Sequence, residues 1–204
     1  MEFEEFTAMS WNCEGIKNNI FLIKSILAES NISFVFLSEP QLYQCDAGQI
    51  FQYINGEYCW HLNSDDLLDP ELPLVKSRAH GGTLCLWLKE LDPYVEVIST
   101  NTTAFLPIVL NKPGLKTSVH ISLYLPTHGK ETEFVSDLAD LRNFLDTMIE
   151  RFVDPLFYIR GDGNANVNNS VRVTLLTQLM NNYRLVKIVI LTITLLETEC
   201  MTVK

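Results

Sequence analysis

The first forty residues carry two hydrophobic rhythms in succession. "FTAMSW" (6 to 11) reads as a strand running into the polar turn "NCEG". Ile16, Ile20, Ile23 and Leu27 then recur at spacings of four, three and four, which places them on one face of a helix. "NISFVFLSEP" follows as a buried-type strand that ends on Glu39 before Pro40. Strand, helix, strand is the natural opening of a layered α/β protein.

The middle of the chain is less regular. "SDDLLDPELP" (64 to 73), with its prolines and acids, reads as a surface loop. Apolar or alternating runs at "GGTLCLWL" (81 to 88), "YVEVIST" (94 to 100) and "TSVHISLYLP" (117 to 126) are separated by Gly, Pro and Asn, as in successive antiparallel strands. Val135, Leu138, Leu141, Leu145, Met148 and Phe152 then mark one face of an amphipathic helix over about 133 to 153. Acids at its start and Arg151 near its end suit the helix dipole. "LFYI" (156 to 159) is a strand, and the polar loop "RGDGNANVNN" leaves its C-terminal edge.

A chain of 204 residues, 47% hydrophobic and 20% charged, is long enough for one well-buried core, so one domain over 1 to 204 is expected. The formal charge of −10 repels a polyanion at long range, and nucleic-acid binding therefore needs a local basic patch or bound cations. Cys13, Cys45, Cys59, Cys85 and Cys200 contain no C-x-x-C pair, which favours a reducing compartment and argues against structural zinc. No signal-peptide pattern opens the chain, and the apolar run Ile188 to Leu196 is far short of the about twenty residues that span a bilayer. An intracellular protein, nuclear or cytoplasmic, neither secreted nor membrane-bound, is the expectation.

Candidate chemistry sits where strands stop. Trp11 runs into Asn12, Leu37 leads to Glu39, Ile159 leads to Asp162 and Asn164, and Tyr124 closes the 117 to 124 run. In a layered sheet such strand ends converge on one crevice. Carboxylate and amide oxygens suit Mg²⁺, which takes one or two protein carboxylates alongside waters and substrate phosphate. A second carboxylate can orient or deprotonate an attacking water, which makes the set one that hydrolyses phosphodiesters. Each residue alone has a plainer reading: Asn12 as a helix cap, Gly-Asp-Gly-Asn as a turn, Glu39 as an exposed strand end, Tyr124 as a rim residue.

The blocks "SWNCEGI", "ISFVFLSEP", "GGTLCLWL", "HISLYLP" and "FYIRGDGNANVNN", in this order, resemble the endonuclease/exonuclease/phosphatase superfamily. They most resemble the endonuclease domains of non-LTR (LINE-type) retrotransposons, over about residues 5 to 188. The resemblance implies a four-layered α/β/β/α sandwich of two packed, mostly antiparallel sheets. It implies Glu39 as the principal metal ligand, with Asn12 helping to hold metal or phosphate. Tyr124 is placed beside the scissile phosphate, Asp162 orients or activates the attacking water, and Asn164 positions the phosphate. Mg²⁺, with Mn²⁺ as an alternative, is the implied cofactor, with no small-molecule cofactor beside it. DNA is the implied partner, and a reverse transcriptase domain lies downstream in an intact element.

The chain departs from that pattern twice. Gly163 stands where the family commonly has Phe, which loosens the loop. The family also completes its site with a later Asp and with a His that follows Asp. Here His61, His80, His120 and His128 all precede the loop, and neither Asp nor His occurs after Asp162. Impaired DNA nicking is therefore expected. The alternatives are an inert metal- or nucleic-acid-binding remnant, or a phosphatase or exonuclease of the same superfamily. After "YRLVKI" the tail loses family character. Codons compatible with Ile190 to Val203, read two bases later, spell a string like the one expected before the missing aspartate. Residues 189 to 204 are thus expected to be a frameshifted tail on a C-terminally truncated domain, with open sheet edges that promote association.

Overall fold

The computed structural model describes residues 6–54, 56–64, 81–165, 170–183 and 185. The expected loop at 64 to 73, apart from Ser64, lies outside the described residues, as do His80 and the tail 189 to 204. The elements run β1 (Ala8–Asn12), α1 (Ile16–Glu29), β2 (Phe34–Ser38), α2 (Gln44–Phe51), β3 (Tyr58–Asn63) and β4 (Thr83–Leu88). After a 3-10 turn at Lys89–Tyr94 come β5 (Val95–Val97), β6 (Phe105–Leu110), β7 (Ser118–Tyr124), α3 (Glu131–Arg151), β8 (Leu156–Asp162) and α4 (Ser170–Asn182).

Among the described residues two four-stranded sheets form, ordered β1-β2-β4-β3 and β5-β6-β7-β8. Pairing is parallel at β1–β2 and β7–β8 and antiparallel elsewhere. The two-residue period of a strand then sorts side chains into layers. Val35 and Leu37 of β2 face Ile16, Ile20 and Ile23 of α1 and Phe51 of α2, whereas Phe34 and Phe36 face the other sheet with Cys85, Trp87, Leu106, Ile108 and Leu110. On the far side, Val119, Ile121 and Leu123 of β7 meet Phe134, Leu138, Leu141, Leu145 and Met148 of α3. Each such buried side chain contributes about 1.5–3 kcal/mol over its exposed state. The result is the α/β/β/α sandwich that the resemblance implies, and no helix among the described residues is long and apolar enough to cross a membrane.

Several elements differ from the sequence reading. Strand β6 is not among the expected strands; it contains Pro107, and proline cannot donate to a ladder. Its carbonyl still accepts from the Ile98 amide at 3.1 Å, and all six residues of the strand are buried. Helix α2 has only eight residues, too few for a clear period. Helix α4 opens "SVRVTLL", which alternates like a strand, yet it is Arg172 and Leu179 that it buries. On α3 the inward position belongs to Phe134, while Val135 is 52% exposed.

The interlayer is not wholly apolar. His120 of β7 is 3% exposed and lies between the rings of Phe34 and Tyr158, with centroids at 4.6 and 4.9 Å. Its Nδ1 is 3.3 Å from the Arg160 guanidinium, which can only donate, so the ring hydrogen sits on Nε2 and is given to Ser118 Oγ at 2.9 Å. Burial first, and then the Arg160 charge, hold the imidazole well below its ordinary range and therefore neutral. Burial likewise pulls Arg160 down to about 10, which leaves it protonated at neutral pH.

This burial sets a pH dependence. The unfolded imidazole takes up a proton below a pH of about 6.5 and the folded one does not, so His120 supports full stability above that pH and loses it on acidification. The loss is at most about 1.4 kcal/mol per pH unit for one proton. Urea unfolding between pH 7.5 and 5 is expected to show this slope, and His120→Gln is expected to flatten it by one proton's worth. An unchanged slope in the variant would contradict the assignment.

Candidate active site

The register of the two parallel pairs brings the strand ends together. Asn12 pairs with Ser38 at the end of β1 and β2, and Tyr124 pairs with Asp162 at the end of β7 and β8. Across the gap between sheets, Asn12 Nδ2 donates to Glu39 Oε1 at 3.0 Å and to Asp162 Oδ2 at 3.4 Å. One carboxamide thus joins the two carboxylates, one from each sheet. Asn164 follows: its backbone amide donates to Asp162 Oδ1 at 2.9 Å, and its Nδ2 to the Leu125 carbonyl at 2.7 Å. The five residues expected from the sequence, Asn12, Glu39, Tyr124, Asp162 and Asn164, are gathered at one end of the sandwich, and each is half-buried.

The backbone at this end is shaped for the purpose. Glu39, Gln41 and Asn164 have φ of 52°, 48° and 45°, a left-handed conformation that costs a non-glycine residue about 1–2 kcal/mol. The surroundings hold it in place: Glu39 donates its amide to the Gly82 carbonyl at 3.1 Å and accepts from the Gly15 amide at 2.8 Å, while Gln41 donates to Gly81 at 3.2 Å. Asn12 is not the cap of α1. Gly15 occupies the N-cap position, and Asn12 Oδ1 instead accepts from the Glu14 amide at 3.3 Å.

Two site residues escaped the sequence reading. Gln41 Nε2 donates to Glu39 Oε2 at 3.3 Å, so both oxygens of that carboxylate are oriented. Its own Oε1 is buried with no partner among the described residues. A glutamine two residues past a glutamate carries no pattern that announces it. The second is Arg172 of α4, which is almost fully buried and donates to the carbonyls of Pro126, Thr127 and Asn164 around the same loops.

The donor set fits a hard divalent ion. Glu39 and Asp162 each keep unused lone pairs beyond the bonds above, and two carboxylates are what Mg²⁺ commonly takes from a protein, the rest being water and phosphate. Among the described residues no three His, Cys, Asp or Glu side chains converge on a point. Cys13 lies beneath it, but burial pushes its thiol up to about 12, and it donates to the Ser38 carbonyl at 3.4 Å rather than serving as a thiolate. The described histidines are elsewhere in role: His120 is neutral in the interlayer, and His61 and His128 are exposed.

No protein-family model and no curated protein matches the sequence. Solved structures do match the fold. The chain is similar to an AP endonuclease, LMAP, from Leishmania major, with a TM-score of 0.66 at 14% identity, covering 89% of this chain and 68% of that one. It is similar to the human Nocturnin catalytic domain, solved with a bound sulfate anion, with a TM-score of 0.60 at 14% identity over 89% of this chain and 71% of that one. A 3' phosphatase from Neisseria, NExo, bound to a product DNA hairpin matches with a TM-score of 0.57 at 10% identity, covering 86% and 70%. At these identities the likeness establishes a shared fold.

Gly161 is what allows β8 to deliver Asp162. Its φ is +128°, and a Cβ there would lie 2.0 Å from the Leu123 carbonyl oxygen. Gly161→Ala is therefore expected to destabilise the protein by about 4 kcal/mol or more, read as a large drop in melting temperature. A melt within a few degrees of the native one would show that β8 approaches β7 differently.

Proposed function

We propose that this chain is a divalent-metal-dependent phosphodiester hydrolase that nicks DNA, derived from a retrotransposon endonuclease and working at a reduced rate. The observation that carries the proposal is the Asn12 carboxamide spanning Glu39 and Asp162. It keeps two carboxylates close enough to share one cation and one phosphate. The AP endonuclease and the DNA-bound 3' phosphatase among the structural matches support a phosphoester in DNA as the substrate.

In this reading Glu39, oriented by Asn12 and Gln41, is the principal ligand of Mg²⁺ or Mn²⁺, and Asn12 lies against the phosphate or the ion. The cation, when bound, offsets phosphate charge and polarises the phosphoryl group. Asp162, whose Oδ1 is fixed by the Asn164 amide, orients a water in line with the scissile bond and accepts its proton as the oxygen attacks phosphorus. Asn164 spends one amide hydrogen on Leu125 and retains the other for a phosphate oxygen. Tyr124 stands beside Asp162, where its hydroxyl reaches the scissile phosphate. The departing sugar oxygen needs a proton, and the five residues gathered at the strand ends include no imidazole to supply it, which is why a reduced rate is part of the proposal. A reverse transcriptase domain downstream and a frameshifted origin of residues 189 to 204 belong to the same proposal.

A second reading, a domain that binds metal or nucleic acid without turnover, is favoured by the burial of His120, which takes it out of proton transfer. The two separate in a plasmid-nicking assay. With Mg²⁺, supercoiled DNA is expected to be nicked far more slowly than the roughly 1 s⁻¹ at the low end of ordinary enzymes. Glu39→Ala and Asp162→Ala are each expected to lower that rate by about 10²-fold or more. No nicking, with Mn²⁺ bound in a Glu39-dependent way, would select the second reading. Nicking that survives both substitutions would remove the proposed site altogether.

A further inference from the structure

We propose that Arg172 is the positioning residue of this site: its guanidinium locks the two loops that follow β7 and β8 and so fixes the Asp162 carboxylate. The inference rests on the function proposed above, and it begins from a burial that is unusual for a charged side chain. Arg172 is 1% exposed, deep enough that an unpaired cation there would be strongly destabilising.

Its bonds show where the charge is spent. Nε donates to Glu131 Oε2 at 2.7 Å, Nη1 to the Pro126 carbonyl at 2.5 Å and the Asn164 carbonyl at 3.0 Å, and Nη2 to the Thr127 carbonyl at 2.9 Å. The face of the guanidinium lies over the Phe134 ring at 4.3 Å. Of these four acceptors among the described residues one is a carboxylate, that of Glu131, which is exposed at the first turn of α3 and whose carboxyl the bond from Arg172 holds below the usual range. The other three are backbone carbonyls. Two lie in the loop just after Tyr124, and the third belongs to Asn164.

Asn164 links this clamp to the carboxylate. Its carbonyl is held by Arg172 while its amide donates to Asp162 Oδ1, and its left-handed φ of 45° needs such restraint. The Asn164 side chain then ties to Leu125, whose amide donates back to the Asp162 carbonyl at 3.0 Å. Arg172 therefore sits behind a closed ring through Pro126, Leu125, Asp162 and Asn164 without reaching the surface that DNA would touch. A planar fork serves several acceptors in fixed directions, whereas a lysine supplies one point charge.

The test compares Arg172→Lys and Glu131→Gln with the native protein. Melting temperatures come first, so that all rates are taken where each variant is folded. Arg172→Lys keeps the charge but loses the fork, and is expected to lower kcat for plasmid nicking by about 10²-fold with KM for DNA nearly unchanged, since small misplacement of a reacting group has that scale of effect. Glu131→Gln keeps the fork on the three carbonyls and is expected to change kcat by less than threefold. Amide hydrogen exchange gives a readout that needs no activity. In Arg172→Lys the Asn164 and Leu125 amides are expected to exchange several-fold faster, with Val119 and Ile121 unchanged. A native protein that does not nick at all would overturn the hydrolase reading, and the exchange data would still decide the clamp. A lower melting temperature with native kcat and native exchange at Asn164, or a loss confined to KM, would overturn it.

Discussion

Two carboxylates from two different sheets, held by a single carboxamide, are the constraint on which the rest of the site depends. Left alone, Glu39 and Asp162 would repel each other and turn toward water. The Asn12 amide group donates to both from the end of β1, reaching Glu39 after the neighbouring β2 and Asp162 at the end of β8 in the other sheet. An amide nitrogen offers two hydrogens and no acceptor, so the same group could not have been a carboxylate. A divalent cation between such carboxylates converts their repulsion into coordination, which links the fold to the proposed chemistry.

The fold reaches this arrangement by spending strain locally and recovering it in packing. Left-handed backbone at Glu14, Glu39, Gln41 and Asn164 follows the ends of β1, β2 and β8, with Asp154 a further case before β8, while the strands are braced by three clusters of buried side chains. Arg172 belongs to the same logic, because one buried side chain donates to three loop carbonyls, those of Pro126, Thr127 and Asn164. Strained residues gathered at one edge of a rigid scaffold are a frequent mark of a functional site.

Much of this was legible in the sequence, for identifiable reasons. Strands β1, β2, β4, β7 and β8 and helices α1 and α3 announce themselves because each has one clean period, and the polar stops of β1, β2, β7 and β8 meet at one end of the sandwich. The elements that hid are those whose local pattern contradicts their place. Pro107 sits in a fully paired strand, α4 alternates like a strand, and β5 keeps only three of the residues its apolar run suggested. Gln41 and Arg172 were out of reach for a different cause. Their roles lie in what a side chain touches across the fold, and no spacing along the chain encodes a bond from position 172 to position 126.

The most direct measurement is the anomalous scattering of Mn²⁺ soaked into crystals of this protein, collected beside crystals of Glu39→Ala. One peak within coordination distance of the Glu39 and Asp162 carboxylates, absent from the variant, is the predicted result. A peak that ignores Glu39, or Mn²⁺ bound only at unrelated surface acids, would contradict the claim that these strand ends form a shared cation and phosphate site.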